Sequence, residues 1–389
     1  MTHNPFFGEP LVRVALSEDS PFGLFPRGRF EVNASENTVT YQPADGDSFM
    51  RVKGVLIGRD FHWSKSCEFD YAGVIQIIKE GNHTFLLNVL KAERYLESVV
   101  GSEMHPQAPL EFAKAHAVIA RSWLIRQMNR QPQAAAEKVQ TPGRHITWTE
   151  SSAHAGFDVC CDDHCQRYQG LGSVSEISRQ AVAATRGLVL TDSNGEIADA
   201  RYSKCCGGRT ELFSTCWADT DYPYLTSVEC PYCHPDRLHE ALQRHSTLLK
   251  DYDALTSDYY RWQREVGAAE VTANLETRFG IGVGEILELV PLKAGPSGRV
   301  SELSVKGTKG EAVIGKELSI RRLLSPSHLY SSAFSVRKEG DSFHLHGRGW
   351  GHGVGMGQMG PAVMSVEGAS CEEILSYYYP GTTLVRLYD

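Results

Sequence analysis

A small set of side chains in this chain has the type and spacing to do chemistry. Glu103, in Leu96-Glu-Ser-Val-Val-Gly-Ser-Glu-Met104, falls three and four residues after Val100 and Val99. At helical spacing it prolongs an apolar face, just where the helix must end before His105-Pro106. A carboxyl so placed is expected to be partly desolvated, which raises its pKa and lets it hold a proton near neutrality. That is what a general acid cleaving an ether or glycosidic bond requires. The competing reading is a helix-terminal glutamate that simply reaches water. No second carboxylate sits at an obviously matching position.

A second set is His154, Cys160 and Cys165, spaced His-x5-Cys-x4-Cys, with His164 beside Cys165. Three or four nitrogen and sulfur donors then share one loop, and such soft donors favour zinc. A disulfide such as Cys160 to Cys165, or buried free thiols, are the alternatives. Cys230-Pro-Tyr-Cys233 has redox-type spacing, but it follows a strand-like Tyr224-Leu-Thr-Ser-Val and opens no clear helix. It reads as a second metal clip or a disulfide rather than thioredoxin chemistry. Ten cysteines, with vicinal pairs Cys160/Cys161 and Cys205/Cys206, imply disulfides or a metal in any case.

The third set lies in Gly347-Arg-Gly-Trp-Gly-His-Gly-Val-Gly-Met-Gly-Gln358, six glycines in eleven residues around Trp350, His352 and Gln358. Glycine at this density forfeits backbone entropy, so the geometry must need positive φ or close approach by something large. The formal G-x-G-x-x-G of Gly355, Gly357 and Gly360 cannot open a dinucleotide fold, because only 29 residues follow it and such a unit needs about 30 plus an acidic ribose ligand. No Lys-Ser/Thr follows, so a P-loop is excluded too. A structural turn or the wall of a polar ligand cleft remains.

The elements that must position these residues follow from pattern. Residues 11 to 90 read as short strands (Leu11–Leu16, Gly28–Val32, Val52–Ile57, Thr84–Val89) separated by Asp, Gly and Pro. Ala92 to Ser102 reads as an amphipathic helix with Leu96, Val99 and Val100 on one face and Glu93 and Glu97 on another. A second helix opens near Pro109 with the stripe Leu110, Ala113, Ala117, Ala120, Leu124. Residues 129 to 150 read as a loop, 235 to 280 as a charged helical insertion that includes Tyr259–Val266, and 286 to 345 as strands. Two short helices and a terminal strand close the chain. The fold class is therefore α+β: β-rich lobes, a helical segment carrying Glu103, and a cleft between lobes.

With 389 residues, 41% hydrophobic and 22% charged, the composition is that of a globular protein large enough for two or three lobes. A net charge of −8 argues against nucleic acid or an anionic membrane as the main partner. No stretch approaches the ~18 consecutive apolar residues of a membrane span, and the first ten residues lack the regions of a secretory signal.

Taken in order, Ala92-Glu-Arg-Tyr-Leu-Glu-Ser-Val-Val-Gly-Ser-Glu-Met, Pro109-Leu-Glu-Phe-Ala-Lys-Ala-His-Ala-Val-Ile-Ala-Arg-Ser-Trp, His164-Cys-Gln-Arg-Tyr-Gln-Gly, Cys206-Gly-Gly-Arg-Thr-Glu, Trp217 with Pro223-Tyr-Leu, and the glycine-rich run to Tyr377-Tyr-Tyr-Pro-Gly-Thr resemble the stage II sporulation protein D and amidase enhancer LytB family. The resemblance covers about residue 75 onward. It divides the chain into a β-rich segment, 1–75, and a SpoIID/LytB-like domain, 76–389, with the insertion at about 235–280. It implies binding of peptidoglycan glycan strands and, in sporulation members, lytic transglycosylase activity on strands stripped of stem peptides. The family's catalytic glutamate falls on Glu103, and its zinc ligands on His154, Cys160 and Cys165. Cys161 departs from the usual pattern by adding a competing thiol, and Met104-His-Pro stands where Met-Pro is usual. Tyr202, Arg209, Trp350, His352 and Gln358 are the candidate glycan-binding residues, as aromatic platforms and hydrogen-bonding edges. The rival implied by the LytB name is a non-catalytic wall-binding protein that stimulates a separate amidase; a zinc amidase is a third option. An envelope location is expected, although no leader is visible in the sequence.

Overall fold

The computed structural model describes residues 8–389 apart from 59–63, 105–107, 130–137, 142, 149–153, 155, 163 and 245–258. His105-Pro106, half of residues 129–150 and the middle of the 235–280 insertion lie outside the described residues; the rest of 129–150, expected as loop, supplies strands Lys138–Thr141 and Arg144–Thr147, which sheet pairing rather than local pattern selects. The fold is α+β, as the pattern of short strand runs and amphipathic stretches predicts. The chain divides into two compact units, one of Met1–Gln133, Ser151–Asp199 and Thr383–Asp389, the other of Ala134–Glu150 and Ala200–Thr382.

The first unit is built on a six-stranded sheet in the order Val159–Cys160, Leu11–Glu18, His83–Lys91, Val74–Glu80, Thr38–Pro43, Phe30–Ala34. Pairing is antiparallel except at the edge, where Val159–Cys160 runs parallel to Leu11–Glu18. Helix α1, Ala92–Glu103, starts directly at the end of strand His83–Lys91. Tyr95, Leu96, Val99 and Val100 pack it against Val12, Val14, Leu16, Leu86 and Leu90. The apolar stripe is thus where periodicity puts it, but Glu93 is not on a wet face. It is 5% exposed and accepts from Arg121 Nε and Nη2, at 2.8 and 2.7 Å.

Arg121 belongs to α2, Leu110–Asn129. Of the predicted stripe, Ala113, Ala117, Ala120 and Leu124 are fully buried, whereas Leu110 at the helix start is 36% exposed. The helix is buried nearly all round because α1, α3 (Glu176–Ala184) and strand Leu188–Thr191 all pack on it. Strand Leu188–Thr191 pairs with the terminal strand Thr383–Arg386, and Tyr388 beyond it donates its hydroxyl to Glu93 at 2.6 Å.

The second unit has a five-stranded sheet in the order Ile286–Ala294, Val300–Gly307, Gly310–Gly315, Arg144–Thr147, Lys138–Thr141, and a three-stranded sheet of Arg261–Gly267, Ser342–Arg348 and Phe334–Glu339. Its helices are α4 (Phe213–Cys216), α5 (Pro235–Arg244), α6 (Ala268–Phe279), α7 (Glu317–Leu323), α8 (Met359–Val366) and α9 (Cys371–Tyr378). Two expectations are corrected here. Tyr259–Val266, read as helix from its charge pattern, supplies strand Arg261–Gly267. Pairing with Ser342–Arg348 decides this: every residue from Arg261 to Gly267 has a ladder partner from Arg348 to Ser342, a gain that the i, i+4 burial of Trp262 and Val266 could not reveal. Cys230–Cys233 does lead into a helix: a single turn, Pro231–Cys233, runs straight into α5, with a proline at each start.

Candidate active site and metal centre

Glu103 is the last residue of α1 and is half-buried. Its neighbours come from residues 165–173, which strap across the end of the helix. Arg167 N–H donates to Glu103 Oε1 at 2.9 Å, and Gln169 N–H donates to Ser102 Oγ at 3.2 Å. The strap is anchored deeper by Gln166, whose Nε2 donates to Ala120 O at 3.2 Å and whose Oε1 accepts from Tyr95 at 3.2 Å. Tyr168 donates to Asn88 Oδ1 at 2.6 Å. Contact between strap and helix is closest at Gly101, where a Cβ would lie 1.9 Å from Ser173 O. The glycine of Ser-Val-Val-Gly-Ser-Glu is what allows the strap to reach the carboxylate. Sequence reasoning missed Arg167 because its contribution is a backbone N–H, which leaves no side-chain signature.

Immediately before the strap, His154, Cys160, His164 and Cys165 converge, with their ligand atoms all within 4.8 Å of one another. His154 Nε2 lies 3.1 Å from Cys165 Sγ, and His164 Nδ1 lies 3.6 Å from Cys165 Sγ and 3.9 Å from Cys160 Sγ. The Cys165 thiol, helped by His154 and His164, holds Cys160 far below the ordinary thiol value against the opposing effect of burial. His164, adjacent to Cys165 in sequence, thus joins the three spaced donors. Cys161 does not compete. Successive residues of the edge strand point to opposite faces, so Cys161 is buried in the core and its thiol reaches Leu16 O at 3.7 Å. The donor set, two imidazoles and two thiols, fits a tetrahedral zinc ion.

In the second unit, Tyr202–Ser203 pairs in parallel with Met356–Gly357, and Cys205 bridges to Trp350. Four candidate binding residues therefore sit on or beside one feature, the glycine-rich segment; Arg209 is on the surface, paired with Glu229 at 2.5 Å. Trp350 meets Tyr259 and Tyr330, with ring centroids 3.9 and 5.1 Å apart, so the aromatic surface is larger than one tryptophan. His352 serves its own turn: Val354 N–H donates to Nδ1 at 3.0 Å, and the ring packs edge-on to Trp217. Burial, with Arg201, Arg299 and Arg321 nearby, pushes its pKa down to about 3, so the ring stays neutral. Gln358 is 5% exposed, and its Oε1 has no hydrogen-bond partner among the described residues. A buried acceptor left in that state is a point where a ligand or water gains a bond.

What approaches the glycine backbone is part of the protein. Arg299, fully buried, donates from Nε to Gly351 O (2.9 Å), from Nη1 to Cys206 O (3.2 Å) and Ser297 Oγ (2.9 Å), and from Nη2 to Cys205 O (3.3 Å). Gly353 has φ of +73°, and a Cβ there would lie 2.4 Å from Arg299 Cζ. The segment wraps a guanidinium, and this accounts for glycine there without any ligand.

Comparison with known proteins finds two matched regions. A family model described as stage II sporulation protein matches residues 80–191, which hold α1, Glu103, the four-donor cluster and the strap. A domain of unknown function matches residues 211–355. Stage II sporulation protein D of Bacillus subtilis is 27% identical over 308 residues, covering 75% of this chain and 74% of its own. That of Bacillus amyloliquefaciens is 25% identical, covering 80% and 78%. The amidase enhancer of Bacillus subtilis is 26% identical over 74% of this chain but only 40% of its own length. Residues 80–191 thus carry a SpoIID domain, and most of the chain is similar to stage II sporulation protein D and to part of the amidase enhancer.

Proposed function

We propose that this protein acts on the cell wall as a lytic transglycosylase, cutting peptidoglycan glycan strands between N-acetylmuramic acid and N-acetylglucosamine. The observation that carries this reading is Glu103, placed at a helix end and held by a backbone N–H from the strap, inside the matched domain. In its protonated form Glu103 gives its proton to the glycosidic oxygen as the C1–O bond breaks. The resulting carboxylate then takes the proton of the muramoyl 6-hydroxyl as that oxygen bonds to C1. The products are a free 4-hydroxyl and a 1,6-anhydro end, no water is consumed, and Glu103 is regenerated protonated. One carboxyl suffices, which agrees with the absence of a matching second one in the sequence.

His154, Cys160, His164 and Cys165 would hold a zinc ion, which when bound supplies a cross-link between residue 154 and the root of the strap. Four protein donors leave no open position for a water, which supports a structural ion over a zinc amidase. In the second unit, Trp350 with Tyr259 and Tyr330 offers a face for a sugar ring, while Gln358, buried behind it, supports the segment. An extracytoplasmic location at the envelope follows from such a substrate. The described residues contain no helix long and apolar enough to cross a membrane.

The amidase enhancer relative favours a second reading, a wall-binding protein that stimulates a separate amidase. Glu103→Gln separates the two. On purified denuded strands and intact sacculi, the wild type is expected to release 1,6-anhydro products and the variant at least 100-fold fewer, with binding retained. A wild type that binds both substrates and releases none from either sinks the enzyme and leaves the enhancer.

A further inference from the structure

The second unit holds a thiol cluster that neither the glutamate nor the four-donor centre uses. Cys206, Cys230 and Cys233 have sulfur atoms all within 4.8 Å of one another, with Cys206 Sγ and Cys233 Sγ 3.4 Å apart. All three are buried, at 1–2% exposure. Cys205, equally buried, adjoins Cys206 in the same turn. The two halves come from segments 24 residues apart, joined by local pairing: Cys230 N–H donates to Gly208 O at 2.9 Å and Thr210 N–H to Val228 O at 2.9 Å. Such pairing folds the Cys205-Cys206-Gly-Gly turn onto the Cys230-Pro-Tyr-Cys233 turn.

We propose that Cys205, Cys206, Cys230 and Cys233 form a structural zinc-thiolate site in the second unit. A tetrahedral ion with bonds of about 2.3 Å sets its sulfurs about 3.8 Å apart, within the range that Cys206, Cys230 and Cys233 already occupy, and Cys205, next to Cys206 in the chain, supplies the fourth donor. A disulfide would join only two of the three converging sulfurs and strand the rest in the core. The surroundings also suit thiolates. Tyr378 Oη lies 3.1 Å from Cys230 Sγ. Arg299 places its cation against the carbonyls of Cys205 and Cys206, offsetting the negative charge of four thiolates on one divalent ion. With every donor buried and four available, the site is closed, as structural zinc sites are. Its effect is to clamp the Gly207-Gly208 turn, the start of α5 and, through Tyr378, the end of α9.

Metal content of the purified chain, measured by native mass spectrometry and elemental analysis, tests this directly. Two zinc ions per chain are expected, one in each unit. The double variant Cys230→Ser/Cys233→Ser should lose one, and His154→Ala/Cys160→Ser should lose the other while keeping the one proposed here. If the first variant does not fold, cobalt substitution of the second variant decides instead: thiolate-to-metal charge-transfer absorption at one cobalt per chain is expected. The proposal is overturned if His154→Ala/Cys160→Ser binds no metal. It is equally overturned if alkylation of the denatured, unreduced wild type finds a disulfide among these cysteines.

Discussion

Replacing Gly101 by alanine should destabilise the protein, although the same change in an isolated helix would strengthen it by about 1 kcal/mol. The reversal comes from the strap. A Cβ at position 101 would sit 1.9 Å from Ser173 O and 2.8 Å from the Ser173 carbonyl carbon, both backbone atoms that no rotamer change can move. Ordinary contact requires the 170–173 turn to retreat by about 1.5 Å. That retreat breaks the Ser98–Ser173 hydroxyl contact at 2.9 Å and the Gln169 N–H bond to Ser102 at 3.2 Å, each worth about 1 kcal/mol net. Overpacking adds about 1–3 kcal/mol. Less the helical gain, the expected loss is about 2–4 kcal/mol, or a fall in Tm of roughly 4–16 °C for a unit of this size. Thermal and urea unfolding followed by circular dichroism read it, with Ser102→Ala as a control that loses one bond and about 1 kcal/mol. Because the strap also carries Arg167 N–H to Glu103, release of anhydro products should fall at temperatures where the variant is still folded. A Gly101→Ala protein that unfolds at or above the wild-type Tm refutes the packing argument. One that is destabilised but cleaves normally refutes the link to Glu103.

Glu93→Gln leaves the Arg121 guanidinium buried against a neutral partner, and a loss of about 3–5 kcal/mol is expected near neutral pH. Burial pushes the Glu93 carboxyl up, but the charge and hydrogen bonds of Arg121, with Tyr388 and Gly187, outweigh it and hold the group below its ordinary 4.5. Its contribution is therefore present above that value and lost as pH falls through the lower folded pKa, so the gap between variant and wild type should narrow below about pH 4.5. Urea titrations at several pH values would show this, and a gap that does not change with pH contradicts it. Gly353→Ala forces a side chain into left-handed backbone, at about 1–2 kcal/mol. It also pushes Arg299 from the carbonyls of Gly351 and Cys206, which each lose about 1–3 kcal/mol when unsatisfied, while Cys205 O keeps the Trp350 N–H. A total loss above about 3 kcal/mol is expected in chemical unfolding, and a change under about 0.5 kcal/mol would show that the glycine is not there for the arginine.

Much of the local architecture was legible before the fold. Leu96, Val99 and Val100 recur at helical spacing, so α1 and the position of Glu103 at its end follow from periodicity. The β-branched runs before residue 90, and the two helices and strand that close the chain, are equally local in origin. The donors His154, Cys160 and Cys165 were legible as chemistry, since soft ligands within twelve residues are tethered close whatever the loop does. Misreading Tyr259–Val266 as a helix shows the limit. Its charges satisfy a helical pattern, and only pairing with Ser342–Arg348 selects the strand.

The sequence by itself determined the elements with a clear side-chain period, such as α1 and the strand runs before residue 90, where the acid stands, and which loop gathers metal-binding donors, because these depend on that period and on short tethers. Tertiary structure alone decided that Glu93 is buried, that Arg167 offers its N–H to Glu103, that Arg299 fills the glycine segment, and that Cys205 and Cys206 meet Cys230 and Cys233. Each of these joins groups between 24 and 295 residues apart, or uses a backbone atom that every residue shares. Such contacts have no period and no composition of their own; they exist only once packing has brought the two ends together.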